Sequence, residues 1–419
     1  MTPEEMKQVV PAAVLSVCKT LRASGFEAWI VGGAVRDLVL GKTPSDWDVA
    51  SDALPEAVLA VFDKTIATGL AHGTVTAIVG KGRAREQVEI TSFRGEGTYS
   101  DSRRPDSVHF GVPLDEDLLR RDFVINAMAY SPIDGVIHDP LGGVSDLQSK
   151  TLRAVGVAAD RFAEDGLRIM RAVRFVSTLG FSMESSTEAA LSTALDALAA
   201  VAQERVRVEL LKLLGGQAPS EALDIARRSG ILDVILPELQ EVDFDSALMR
   251  VSRLSPDPVL RLAALVSEVS VSKVEAILRR LTMSNEDRQR ILAMLRHQEG
   301  LAGAHGTDGD LRKHLSVVGR KYALDHLYIA ESIACYKSEA GLLVAISRAR
   351  SILEQECPLE IRDLAIKGGQ VIQSVGIEGR AVGDMMAMLL EHVLEHPQDN
   401  DLESLTRLAK EFQNAKSER

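Results

Sequence analysis

The sequence is poor in aromatics, at 4% of 419 residues, and holds only three cysteines. It contains no long apolar run and no excess of basic charge. Few aromatic side chains, with a second half rich in Ala, Leu, Arg and Glu, disfavour a β-sandwich or barrel and favour helices. Cys18, Cys335 and Cys357 are odd in number and far apart, which suits buried thiols in a reducing cytosol better than a disulfide framework or a zinc site. No stretch approaches the ~18–20 apolar residues of a membrane helix, and no membrane association is expected. The opening MTPEEMKQVVPAAVLS is acidic where a secretion signal is basic, so a cytoplasmic protein is expected. A formal charge of −12 argues against nonspecific polyanion binding. It leaves room for a local basic groove.

Hydrophobic residues at 46% and charged residues at 26% describe an ordinary folded chain. The length suggests about three domains. Up to about residue 150 the pattern is mixed α/β. A helix is expected over 6–24, a strand over Ala28 to Val31, and a helix over Ala34 to Leu40 that Gly41 ends. Further strands are expected over Asp46 to Ala50, Thr74 to Val79 and Gln87 to Phe93. A segment from Val108 to Phe110 precedes a helix over Leu118 to Tyr130. Beyond about 150 strands are no longer expected and helical periodicity runs nearly to the end, interrupted by glycine and proline. Ser284 and Asp287 fit a capping box, and Gly368 to Gly379 reads as a turn-rich stretch before a helix over Asp384 to Leu394. NAKSER at the end is expected to fray.

The segment from Ile30 to Asp52, IVGGAVRDLVLGKTPSDWDVASD, carries most chemistry. Gly32 and Gly33 stand between a strand and a helix, where a backbone without Cβ lets an anionic ligand approach the free N–H groups. Arg36, one turn on, adds a guanidinium that can fork onto phosphate oxygens. In a strand, Asp46 and Asp48 would share a face, with Trp47 on the other. Two carboxylates on one face repel each other and are best tolerated around a hard divalent cation. Mg²⁺ takes few carboxylates and fills its shell with phosphate and water, so the string reads as a metal–nucleotide site with Asp46 and Asp48 as metal ligands.

That string, GG-x-V-R-D … D-x-D, resembles the signature of the nucleotidyltransferase superfamily. It is similar to the bacterial class II branch, which holds the tRNA CCA-adding enzymes and bacterial poly(A) polymerases. Further motifs match the same branch. In QVEITSFR, the resemblance brings Glu89 to the metal site as a third carboxylate. RGEGTYSDSRRPDSVHF, from Arg94 to Phe110, matches a flexible loop needed for final A addition, which CC-only enzymes have shortened; here it looks full length. In LLRRDFVINAMA the resemblance gives Arg121 a phosphate contact, and Asp122 and Asn126 the ribose. DPLGGVSDL, from Asp139 to Leu147, matches a turn leaving the catalytic domain.

In RFAEDGLRIMRAVRF, Ile169, Ala172, Val173 and Val176 form an apolar helical face, and Arg161, Asp165 and Arg168 a second stripe. By itself this is a helix laced with ion pairs, Glu164 to Arg168 among them. The string E-D-x-x-R matches the family motif that selects the incoming base. Asp165 can accept from the exocyclic amine that C and A share, and Arg168 can donate to the same edge. U or G would leave buried polar groups unpaired, at about 1–3 kcal/mol each. Glu164 would hold Arg168. Arg171 and Arg174, with Gly33, Arg36 and Arg121, would hold the triphosphate. ERVRVELLKLL fits a family helix, while RLAALV and the stretch from Leu364 to Met386 match body and tail segments less specifically.

The resemblance implies an α+β chain: a small mixed-sheet catalytic head over 1–150, then a helical neck over 151–215, a body over 216–325 and a tRNA-binding tail over 326–419. It implies template-independent addition of C, C and A to tRNA from CTP and ATP, with Mg²⁺ and release of pyrophosphate. The alternative is an A-adding enzyme or poly(A) polymerase sharing every catalytic residue, although a long basic C-terminal extension is missing. A small-molecule nucleotidyltransferase would not need the E-D-x-x-R helix and some two hundred helical residues after it, and a non-catalytic RNA-binding relic would not need the Asp pair. The sequence leaves the oligomeric state open.

Overall fold

The computed structural model describes residues 1–70, 73–80, 85–95, 109–303 and 306–417. The chain forms two compact units, Met1–Ile235 and Leu236–Arg419.

The first unit opens with α1 (Pro3–Val9) and α2 (Ala12–Ala23) rather than one helix over 6–24. Pro11 causes the break. It has no N–H to continue the ladder, and its ring drives Val10 to an extended conformation, ψ 125°. Then follow β1 (Trp29–Val31), α3 (Gly33–Val39), β2 (Asp48–Ser51), α4 (Pro55–Val61), β3 (Thr65–Gly69), β4 (Thr74–Val79), β5 (Glu86–Ser92), α5 (Leu114–Leu119), β6 (Ala129–Ser131) and β7 (Val136–His138). The strands make one sheet in the order β3-β4-β5-β2-β1-β6-β7. Only β2 and β5 run parallel; every other neighbouring pair is antiparallel. Val31, Ala50, Phe93, Leu118, Val124, Ala127 and Ala129 bury together in the core of this region.

Two expectations fail here. The helix over Leu118 to Tyr130 stops at Leu119, passes through a short 3₁₀ turn at Val124–Asn126, and becomes strand β6. The Asp122 carboxylate takes the Phe123 N–H at 2.8 Å, a local bond that competes with the helix, and pairing with β1 captures the next segment. The strand expected from Asp46 begins only at Asp48. The loop from Arg94 to Phe110 lies mostly outside the described residues; its ends meet in a bridge between Arg94 and Phe110.

The rest of the unit is α6 (Gly143–Gln148), β8 (Thr151–Leu152), α7 (Ala158–Glu164), α8 (Leu167–Leu179), β9 (Ser182–Met183), α9 (Ser185–Ala190), α10 (Leu195–Ala199), α11 (Gln203–Leu214), α12 (Pro219–Arg228) and α13 (Ile231–Ile235). Strands therefore do not end at 150, since β8 and β9 pair in parallel. The Asp139 carboxylate accepts from Gly143 and Val144 N–H at 2.6 and 2.9 Å, so DPLGGVSDL folds as the start of α6. The expected single helix over Arg161 to Phe175 is two helices, broken at Asp165 and Gly166. Gly166 packs so closely on α10 that a Cβ there would stand 2.3 Å from the Ala197 carbonyl carbon.

The second unit is helical: α14 (Phe244–Arg253), α15 (Pro258–Leu265), α16 (Val271–Arg280), α17 (Asn285–Leu295), α18 (Gln298–Gly303), α19 (Asp308–Val318), α20 (Arg320–Lys337), α21 (Ala340–Glu354), α22 (Gly368–Val375), α23 (Arg380–Glu395) and α24 (Leu402–Ser417). Ser284 caps α17 by accepting the Asp287 N–H at 3.1 Å, while the Asp287 carboxylate accepts from the Ser284 hydroxyl rather than from its backbone N–H. The glycine-rich stretch from Gly368 is helix α22, ended by Gly376 in the left-handed region. One core gathers around Leu311, Leu315, Leu327 and Ile346, another around Val371, Met385, Leu389 and Leu405. No helix among the described residues is long and apolar enough to cross a membrane.

Candidate active site

The acids come first. Asp48 opens β2, and its partner in register on parallel β5 is Glu89, so the two side chains leave the sheet on the same face. Asp46 lies two residues before the strand, where its carboxylate takes the Trp47 N–H at 3.1 Å. The Asp48 carboxyl is held above the usual carboxylate range. Partial withdrawal from water is the main cause and the charge of Asp46 the next; Arg121 pulls the other way and Glu89 adds to the rise. No set of three or more His, Cys, Asp or Glu among the described residues forms a ready-made metal cage. The oxygens present are hard, mutually repelling donors near the surface. They fit a hard divalent cation that completes its shell with water and phosphate.

Beside the acids lies a group of arginines on buried carboxylates. Asp117, on α5 and 1% exposed, accepts from Arg120 Nε and Nη2 at 3.0 and 2.8 Å and from Arg121 Nη2 at 3.0 Å. Burial alone would raise the Asp117 carboxyl, but Arg121 and Arg120 hold it below the usual range. Burial also brings Arg120 down to about 10. Gly32, the N-cap of α3, is at φ +71°, and a Cβ there would stand 3.0 Å from Arg121 Nη1, so glycine lets the backbone and the guanidinium come this close.

A second chain of bonds runs through Asp122. Its Oδ1 accepts from Asn126 at 3.2 Å and its Oδ2 from Arg171 Nε at 2.6 Å. Burial opposes the charge on Asp122, yet Arg171 and these hydrogen bonds keep its carboxyl below the usual range. Arg36 donates to Asn126 Oδ1 at 2.9 Å and to Asp37 at 2.8 and 2.9 Å. Arg36, Arg171 and Arg174 surround the Phe175 ring, with guanidinium carbons 5.4, 5.5 and 3.9 Å from its centroid. Arg174 is 13% exposed and faces Glu209 at 2.8 Å. Burial brings it down to about 10, against the pull of Glu209.

The break between α7 and α8 positions the third group. Glu164, the last residue of α7, receives Arg161 Nη1 on both oxygens at 3.1 Å and Arg168 Nη1 at 2.6 Å. Arg168 also donates to the carbonyls of Arg161 and Arg120 at 3.1 and 3.3 Å. Asp165 is extended, φ −145°. Its Oδ1 takes the Leu167 N–H at 3.0 Å and its Oδ2 meets Arg205 Nη2 at 3.2 Å.

These groups share one open cleft of about 390 Å³, lined by Val31, Asp48, Thr91, Arg94, Arg120, Arg121, Asp122, Asp165, Leu167, Arg168, Arg171 and Arg205.

Residues 28–153 match the Poly A polymerase head domain, and 180–242 the probable RNA and SrmB- binding site of polymerase A. The CCA-adding enzyme of Leuconostoc citreum is 34% identical over 424 aligned positions, covering 98% of this chain and 97% of that protein. The chain belongs to the CCA-adding enzyme family. Across half of its length the likeness is higher: 47% identity to the CCA-adding enzyme of Geobacillus stearothermophilus, over 54% of each chain. The crystal structure of the Bacillus stearothermophilus CCA-adding enzyme in complex with CTP superposes with a TM-score of 0.77 at 32% identity, over 97% of this chain and 98% of that one. The Thermotoga maritima CCA-adding enzyme complexed with tRNA shares the fold, with a TM-score of 0.69 at 18% identity over 98% of each chain. This member of the CCA-adding enzyme family is accordingly a metal-dependent tRNA nucleotidyltransferase.

Of the residues that sequence reasoning singled out in this CCA-adding family member, Asp48, Arg121, Asp122, Asp165, Arg168 and Arg171 line the cleft. Gly32, Arg36, Asn126 and Glu164 stand directly behind them, and Asp46 and Glu89 stand beside Asp48. Gly33 lies against the Arg36 guanidinium. Arg174 faces Phe175 and Glu209 instead of the cleft. Sequence reasoning missed Asp117, Arg120, Arg205 and Glu209. The sequence marks them only by an acid three residues before the RRDF string and an acid four residues after Arg205; the burial that gives Asp117 its role is set by the fold.

Proposed function

We propose that this chain adds C, C and A in turn to the 3′ end of tRNA, taking CTP and ATP and releasing pyrophosphate, with Mg²⁺ as the metal and the cytoplasm as its place of work. In this reading 1–150 is the catalytic head, 151–215 the base-selecting neck, 216–325 the body and 326–419 the tRNA-binding tail. The observation that carries it is the single cleft that joins the Asp48 carboxylate to Asp165 and to six arginines, Arg168 among them.

The 3′-hydroxyl of the RNA gives its proton to solvent, its oxygen bonds to the α-phosphorus, and the bond from that phosphorus to the pyrophosphate oxygen breaks. Asp46 and Asp48, with Glu89 beside them, would hold the divalent cation. When bound, it supplies positive charge that lowers the hydroxyl pKa and offsets charge on the phosphates. Arg121 and Arg171 present guanidinium donors to the triphosphate, pre-oriented by Asp117 and Asp122 so that little reorganisation remains at the moment of reaction. Arg36 and Arg174, with Gly33, act behind them through the Phe175 ring and Asn126, and Asp122 with Asn126 borders the ribose. Asp165 offers its carboxylate to the exocyclic amine of C or A, and Arg168 donates to the neighbouring ring atom. Glu164 clamps Arg168, so discrimination comes from fixed side chains rather than a template strand.

The test is incorporation by the purified chain on a tRNA lacking CCA, with each nucleoside triphosphate supplied alone. Incorporation of C, then of A on a tRNA ending in CC, is the expected result. Incorporation of A alone would replace this reading with an A-adding enzyme or poly(A) polymerase.

A further inference from the structure

The second unit holds a half-enclosed pocket of about 380 Å³ to whose lining residues the nucleotidyl-transfer reading gives no individual role. Its floor is apolar, from Leu254 and Leu260, both under a tenth exposed. One wall is helix α20, which contributes Tyr328, Glu331 and Cys335; facing it, at the end of α14, is Arg253.

Two features define what fits. The first is a braced ring. Arg350 sits over Tyr328, 5.2 Å from the ring centroid, and is itself forked onto both oxygens of Glu331 at 3.1 and 2.5 Å. Tyr328 lines the pocket and is 37% exposed as a residue, whereas Arg350 is not part of the lining, so ring surface is left for another flat group. The second is charge. The Arg253 side chain is exposed at the rim, and among the described residues no hydrogen bond or ion pair engages its guanidinium. A flat aromatic platform, an apolar floor and a free cation at one edge match a heteroaromatic base joined to a phosphate, and the volume lies in the range of small-ligand sites.

We propose that this pocket takes up one unstacked nucleotide, its base on the Tyr328 ring and its phosphate on the Arg253 guanidinium. The nucleotide is either free or part of an RNA strand, and only the second source depends on the tRNA reading.

Cys335, half-buried in the pocket wall, provides the readout, and Cys357 serves as a reference thiol in the same molecule. The whole 419-residue chain is alkylated with iodoacetamide, and the rate at each cysteine is followed by peptide mass spectrometry. AMP or CMP is added in one arm and tRNA in the other, and 3′-end extension is measured on the same preparation. Slower alkylation of Cys335, with Cys357 unchanged, is expected in at least one arm: protection by mononucleotide identifies a free-nucleotide site, and protection by tRNA alone identifies an RNA-borne one. Tyr328→Leu should raise the half-protecting concentration by about five-fold or more, Tyr328→Phe should restore it, and Arg253→Ala should weaken phosphorylated ligands while sparing the nucleoside. Protection in neither arm, while tRNA is still extended, overturns the proposal and leaves the nucleotidyl-transfer reading standing. Protection that survives Tyr328→Leu unchanged overturns it as well.

Discussion

Asp48 is partly withdrawn from water, pressed by two neighbouring carboxylates and relieved by one guanidinium, and that balance sets opposite expectations for activity and stability. Asp48→Asn removes a ligand for the divalent cation and should lower nucleotidyl transfer by about 10²–10³-fold or more, measured as C incorporation at saturating CTP. The same change should raise the thermal midpoint of the metal-free protein. The sign follows from the direction of the shift: the folded-state pKa of Asp48 is raised, so its contribution to stability is full below the unfolded value and is lost as pH rises through the folded one. At neutral pH the native carboxylate is therefore a burden that asparagine lifts, and the gain over the parent should vanish on acidification through the carboxylate range. A midpoint that drops at neutral pH would show that Asp48 is held by attraction instead. Glu164 gives a second prediction at this scale. It receives two guanidinium groups, and Glu164→Gln takes charge from both bonds at about 1.5–3 kcal/mol each. Arg168 then loses its clamp. The expected outcome is a fall of about ten-fold or more in kcat/KM for CTP with measurable U incorporation, read by sequencing extended tRNA ends; unchanged base choice would separate Glu164 from selection.

Among the elements, the interruption between α7 and α8 does most to place chemistry, and it was the least legible feature of the sequence. The periodicity of Ile169, Ala172, Val173 and Val176 does reach the buried face of α8, but nothing in that period marks where the helix fails. The failure comes from α10, whose backbone at Ala197 occupies the space a side chain at 166 would need. Gly166→Ala should destabilise the first unit by about 1–3 kcal/mol through overpacking and turn Asp165 away from Leu167 N–H and Arg205. Denaturant unfolding with a parallel assay of CTP affinity checks both effects. A variant that kept full stability and full CTP affinity would mean that α10 yields easily. The same kind of long-range capture explains β6, where helix-like residues pair with β1. The closeness of Asp46 to Asp48 was legible because two residues apart in the chain is a local relation. Asp117 was not, because a buried acid earns its two arginine partners only once α5 and the following turn are folded.

For the molecule as a whole, composition pointed away from a polyanion partner, at a formal charge of −12, yet the cleft is lined by six arginines against three aspartates. The basic charge is concentrated where phosphates are handled, and a net count averages it away. Composition hid the acid response of the second unit equally well. His314 and His326 are buried, with Nε2 atoms 2.8 Å apart. His326 Nδ1 lies 2.9 Å from the Met294 carbonyl and must donate to it. His326 Nε2 is therefore the acceptor and His314 Nε2 the donor, and a further proton on His326 would set N–H against N–H. Burial first, then neighbouring histidine charge, lowers His314 to about 4, and burial with His297 lowers His326 to about 4, from an ordinary 6.5. Between those values the unfolded chain binds more protons than the folded one, so stability is full above about 6.5 and is lost as pH falls toward 4. At ~1.4 kcal/mol per pH unit, one titration shared by the coupled pair removes on the order of 3 kcal/mol. Trp29 and Trp47, the two tryptophans, both lie in the first unit. In urea unfolding from pH 7.5 to 4.5, a far-UV transition that the tryptophan emission does not report should therefore move to lower urea as the medium turns acidic. A His314→Leu/His326→Leu variant, which removes both partners and keeps an apolar fill, should flatten that shift; an unchanged shift would place the acid-sensitive group elsewhere.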